Sequence, residues 1–280
     1  MTGYGSGDRF RQMLRKGAGR MRRAVGGLLV LLTLCFTLIN YAEPVSDDAE
    51  ALRSFLQSHY GMTILMGDEI FDFPSEEYEI RVIPEGNSVF LQMTEGNSRY
   101  LDILRRLDDV FSVYPPEFFS RFAKTYYFDG LRFLLADEIL QDGERIGGVQ
   151  SVHTGYIDIY LAKEDAKERA IHHEVWHAMD YRIRCDDLRA FEDWALLNPE
   201  GFAYTGDFSA IRNEGGKQEA EDWFASAYGK IDEYEDRATV FEAMMLKDES
   251  WWSTRPRLRK KAEYLLEKAE PVFGEIFAGE

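Results

Sequence analysis

Cysteine is nearly absent from this 280-residue chain, which carries only Cys35 and Cys185. Cys35 lies inside an apolar run and Cys185 stands alone downstream, so no disulfide can staple the body of the protein. Cys185 reads as a small apolar residue. Internal repeats and low-complexity tracts are also missing, which excludes a solenoid and a disordered array. Histidine is scarce, with five in all and none after His177. Positive charge is in short supply outside the N-terminus. Residues 1–23 hold seven basic residues against Asp8 alone, a balance of +6, while the remaining 26 basic and 49 acidic residues give −23. A body that acidic repels nucleic acid, so a nucleic-acid partner is excluded. What is present in quantity is apolar and aromatic matter, 45% and 14% of residues, enough for a well-buried core.

Charge is absent altogether from Ala24 to Ala42, AVGGLLVLLTLCFTLINYA. Nineteen helical residues span about 28 Å, close to the hydrocarbon thickness of a bilayer. With the basic arm of residues 1–23 before it, the segment reads as a transmembrane signal-anchor, the arm cytoplasmic and residues 43–280 outside. The competing reading is a signal peptide cleaved after Ala42, which would release a secreted protein. It places Asn40 where a small residue is preferred. Leu32 to Cys35 departs from a lipid-attachment signal in its bulky Leu34.

The remaining pattern predicts an α+β domain over residues 48–280, in two lobes. In the first lobe, about 48–163, a helix capped by Asp47 or Asp48 runs to His59. Strands are expected at 63–65, 78–83, 131–135 and 156–161, and an amphipathic helix at 101–113 ends before Pro115-Pro116. In the second lobe, about 164–280, helices are expected over 164–184, 187–197, 217–228, 233–247 and 255–270. Tyr156, Asp158 and Tyr160 alternate with Ile157, Ile159 and Leu161. That strand is a candidate edge along which an extended peptide could lie.

His173-Glu174-Val175-Trp176-His177 is an HExxH motif within a stretch free of Gly and Pro from Glu164 to Arg184. Residues four apart on a helix share one face, so two imidazoles can converge on one metal ion. Zinc accepts imidazole nitrogen and, in catalytic sites, keeps one position open for water, within reach of Glu174 as general base. With no later histidine, a third protein ligand must be a carboxylate. The candidates are Asp180, Glu219, Glu221, Glu235, Asp236 and Glu242. Asp180 lies on the helical face of the histidines and is better placed to orient one of them than to reach the metal.

The run Ala227-Tyr228-Gly229-Lys230-Ile231-Asp232-Glu233-Tyr234-Glu235-Asp236-Arg237-Ala238 resembles the segment that carries a catalytic tyrosine and, seven residues on, a glutamate ligand in the anthrax-lethal-factor-like zinc peptidases. That group includes the Pro-Pro endopeptidases. His173 to Asp180 is also similar to their helix start, including Ala178 and Asp180. The resemblance covers about residues 150–245, with only the two motifs specific. It implies a zincin-like two-lobed fold of gluzincin type and one zinc ion per chain, held by His173, His177 and Glu235. Glu174 is then the base and Tyr228 an oxyanion helper. It departs from the family at Thr239, where a glutamate stands one turn past the third ligand. From the residues alone, Asp232-x-x-Glu235 is equally a helix-capping pattern.

The expected function is hydrolysis of peptide bonds in an extracellular or cell-surface protein. The alternative is a catalytically silent zinc-binding scaffold or binding protein, which would have no need of Glu174. Other features have plainer readings. His172 points about 100° away from its neighbour and is a packing or surface histidine, while His59 and His153 are isolated. The turn Asn198 to Tyr204 places aromatics either in a cleft or in the core. Arg255, Arg257, Arg259, Lys260 and Lys261 read as a solvated face.

Overall fold

The computed structural model describes residues 48–70, 79–82, 99–123, 128–153, 155–207 and 222–277. The basic arm and the apolar segment 24–42 lie outside these residues. No helix among the described residues is long and apolar enough to cross a membrane.

The architecture is mixed α+β. All strands among the described residues fall between Thr63 and Ala162, and the described chain beyond them is helical or irregular. Helix α1 (Ala49–Tyr60) starts at Asp48, whose carboxylate accepts the Glu50 N–H at 2.9 Å. That cap is worth about 1 kcal/mol. Strand β1 (Thr63–Met66) follows, then β2 (Glu79–Arg81) within the expected 78–83, of which residues 78 and 83 lie outside the described set. Helix α2 (Leu101–Phe111) turns Ile103, Leu104, Leu107, Val110 and Phe111 inward. The strands β3 (Gly130–Ala136), β4 (Glu138–Gln141), β5 (Glu144–Arg145), β6 (Gly148–His153) and β7 (Tyr156–Ala162) complete two sheets.

The larger sheet has the order β1-β3-β7-β6. The first three strands are parallel, and β6 runs antiparallel to β7. Residues 156–161 are therefore not an edge. Strand β7 lies between β3 and β6, and its buried residues on both faces are those of an interior strand. The edge is β6. Its sequence, with Gly148, Gln150 and Ser151 among two valines, lacks the alternation that marks a strand.

One sheet face, with Leu131, Phe133, Leu135, Ile157, Ile159 and Leu161, meets the helices in the main core. Each such side chain contributes about 1.5–3 kcal/mol when fully buried. The other face packs Leu134, Ala136, Tyr160 and Val149 against Ile139. Helix α3 (Glu168–Asp186) lies across the first face, followed by α4 (Glu233–Leu246), α5 (Glu249–Ser253) and α6 (Pro256–Phe273).

Helix α3 starts four residues later than expected. Asp165 and Ala166 both donate to Ala162 O, which folds 163–167 into a turn. The helix expected over 187–197 is absent. Successive i→i+3 bonds make a chain of turns ending in a 3-10 helix, Trp194–Leu197. Leu188 and Leu196, which completed the apolar period, are 89% and 79% exposed. Of the helix expected over 217–228, residues 217–221 lie outside the described set. Residues 222–226 are irregular, and Ala227–Lys230 is a 3-10 turn.

Candidate metal centre

Helix α3 supplies the first half of the site. His173 and His177 stand one turn apart, their Nε2 atoms at 3.1 Å. Helix α4 supplies the second half. Asp232 caps it by accepting the N–H groups of Tyr234 and Glu235 at 2.8 and 2.9 Å. The capping pattern is thus half realised. Glu235 does not reach back to the backbone of Asp232 but projects to His173, with Oε2 at 2.9 Å from His173 Nε2 and 3.6 Å from His177 Nε2. These three groups offer ligand atoms within 4.8 Å of one another and can hold a metal ion.

The electrostatics follow from this convergence. Burial opposes charge on His173, but the hydrogen bond to Glu235 and the nearby Glu242 carboxylate overcome it and push the ring up to about 10. Burial likewise opposes charge on Glu235. The hydrogen bond from His173 and the nearby His177 ring win and hold its carboxyl well below the usual glutamate range.

Glu174 is buried beside the ligands, under the edge strand. The Ala162 N–H···O=C Gly147 bond and the β6–β7 register direct the backbone groups of Gly148, Gln150 and Val152 away from β7. The Gln150 backbone faces the Glu174 carboxylate and lowers it slightly. Burial raises this carboxyl above its ordinary range, against the pull of His177 and His173. Gly148 permits the close approach. A Cβ there would stand 2.9 Å from Glu174 Cγ and 3.1 Å from Tyr160 O. Gly148→Ala is therefore expected to destabilise the fold by about 1–3 kcal/mol, read as a lower urea midpoint. An unchanged midpoint would show that the strand does not rest on Glu174.

Tyr228 sits on the 3-10 turn before α4, its ring 5.7 Å from the His173 ring. The turn packs flush on α4, because a Cβ on Gly229 would lie 2.7 Å from Thr239 Oγ1. The small side chain of Thr239 fits this contact.

The other carboxylate candidates divide. Asp236 Oδ2 accepts from Lys261 Nζ, the Tyr204 hydroxyl and Trp194 Nε1 at 2.6, 2.8 and 3.1 Å, away from the histidines. Lys261 is thus fully buried on α6 and is no part of a solvated face. Its neighbours Arg257 and Arg259 pair with Asp222 and Glu249. Tyr204 belongs to the same buried network, and the Phe202 ring packs tilted against Phe224 at 4.6 Å, so the 198–204 turn is packing. Asp180 binds Arg184 and Arg237 rather than a histidine. Glu219 and Glu221 lie outside the described residues.

Glu242 emerges as a neighbour of the site that sequence reading placed only among ligand candidates. Its Oε2 stands 3.7 Å from His173 Nδ1, while Oε1 pairs with Arg169 at 2.9 Å. The sequence signal was there, since Glu242 is seven residues, or two turns, past Glu235 on the same helix face. His172 turns to the other side of α3 and shares a 2.8 Å hydrogen bond with Tyr114. Burial pushes its ring down to about 3, so it is a neutral packing histidine.

No family model, curated protein or solved structure matches the chain.

Proposed function

We propose that the chain is a zinc-dependent endopeptidase of gluzincin type. The observation that carries this reading is the meeting of His173, His177 and Glu235 beside a buried Glu174 under an edge strand. Two ligand atoms each about 2.0–2.1 Å from a tetrahedral zinc stand about 3.3 Å apart. The separations of 2.9, 3.1 and 3.6 Å bracket that value. A zinc ion so held supplies Lewis acidity to a peptide carbonyl and acidifies water.

The chain's own residues do the rest. An extended substrate pairs with the outward backbone groups of β6 and is thereby oriented. Glu174 takes the proton from the attacking water and delivers it to the departing amine. Tyr228 donates a hydrogen bond to the oxygen that gains charge. The two motifs carry the resemblance to the anthrax-lethal-factor-like peptidases. The basic arm and uncharged segment 24–42 support a reading in which the enzyme sits at a membrane with its body outside the cytoplasm and acts on an extracellular or cell-surface protein.

The purified full-length chain is expected to carry about one zinc ion and to cleave members of a diverse peptide library, with both properties removed by a chelator. Metal content by mass spectrometry and cleavage products by chromatography give the two readouts. Zinc bound without any cleavage would favour a silent scaffold. Absence of bound zinc would remove the reading altogether.

A further inference from the structure

The two helices that carry the ligands are joined by a second contact close to the metal centre. On α3, His177 lies about 40° around the helix from His173, and Asp180 about 20° the other way, so all three share one stripe. Asp180 is buried to 1% exposure although it is charged. Its Oδ1 accepts from Arg184 Nε at 2.6 Å, and its Oδ2 accepts from Arg237 Nε. Arg237 comes from α4, two residues past Glu235, and is equally buried. Its guanidinium is packed by the rings of Phe191 at 4.5 Å and Tyr234 at 4.9 Å.

Residues two apart on a helix leave it about 200° apart. Glu235 and Arg237 therefore leave α4 on opposite sides, yet both reach the same stripe of α3. The first turn of α4 straddles α3, with Glu235 on the histidines and Arg237 on Asp180, about 4.5 Å further along than His177. Any rotation of α4 about its axis carries the two side chains in opposite senses. The ion pair thus sets how far Glu235 extends toward His173 and His177, a distance that metal binding requires to a few tenths of an ångström.

We propose that Asp180 is a positioning residue of the metal centre, acting through Arg237. The inference rests on the reading of His173, His177 and Glu235 as metal ligands. It is separable from mere stabilisation of the helix pair, because apolar residues of similar volume commonly replace a buried ion pair without loss of stability.

The test is the double variant Asp180→Leu/Arg237→Met in the full-length chain. Zinc affinity is measured by competition with a chromogenic chelator, alongside thermal unfolding of the metal-free protein. The melting temperature is expected to stay within about 5 °C of wild type, while zinc affinity falls about 10–100-fold. Cobalt in place of zinc should show an altered visible spectrum, reporting changed ligand geometry. A folded double variant with affinity within about twofold of wild type overturns the proposal. Should the double variant fail to fold, Asp180→Asn decides. That isosteric change should lower affinity at least about fivefold, and unchanged affinity overturns the role. A wild-type chain that binds no zinc would remove the metal reading first, and the positioning role with it.

Discussion

Glu174→Gln is expected to leave a folded, zinc-loaded protein whose peptide hydrolysis is lower by about 10²–10⁴-fold. The glutamine has the same length and keeps an oxygen toward the Gln150 backbone. It also fits the space under Gly148, where Glu174 Cγ already limits the approach of β6. None of the three ligand side chains is changed. What is lost is the capacity to take a proton from water. The carboxyl suits that task because burial raises it toward neutrality. Removing a buried carboxylate also removes its desolvation cost, so the melting temperature should hold or rise slightly. Single-turnover cleavage of a library peptide, zinc content and thermal unfolding are the three measurements. Cleavage within a few-fold of wild type would mean that the proton goes elsewhere, and Glu174 would lose its role.

The parts of this site that were legible in the sequence are those with a fixed local spacing. HExxH needs only a helix, and the stretch around it has no helix breaker, so the meeting of His173 and His177 follows from a four-residue interval. The mixed composition of the fold was legible for the same reason, since period-two stretches stop before residue 163 and the pattern beyond it is helical. What the sequence obscured depends on contacts between distant segments. Glu235 fits a capping pattern as well as a ligand, and only the crossing of α4 over α3 separates the two. Lys261 sits in a basic cluster that is otherwise surface, and its burial requires Asp236 from another helix. Asp180 lies on the histidine face and so reads as a histidine partner, until Arg237 arrives from α4 to take its carboxylate. Strand β6 was invisible because its glycine and polar residues serve closeness to Glu174 rather than alternation.

Glu235→Gln and Glu242→Gln are expected to separate a ligand from the residue that steadies one. The two glutamates lie two turns apart on α4, and both approach His173, one at each ring nitrogen. Glu235 offers a carboxylate oxygen at 2.9 Å from Nε2, the atom that also faces His177. Glutamine there retains an oxygen of the same shape but removes the negative charge that a dication needs. Zinc affinity should fall by more than about 100-fold, and hydrolysis should disappear with the metal. Glu242 faces Nδ1 at 3.7 Å and is held on its other oxygen by Arg169. No hydrogen bond is made at that distance, but the negative charge beside Nδ1 favours the tautomer that carries its proton there and would leave Nε2 free for a metal. Glutamine keeps a polar oxygen of the same shape beside Nδ1 and loses only the charge, so Glu242→Gln should reduce zinc affinity by only about tenfold, and Glu242→Leu by more. The order of the effects is the informative quantity, read by chelator competition on the three variants at one pH. If Glu242→Gln strips the zinc while Glu235→Gln keeps it, the third ligand lies two turns further along α4 than the geometry places it. Tyr228 would then stand too far up the chain from that ligand to serve the reacting carbonyl, because its proposed place depends on the seven-residue interval to Glu235.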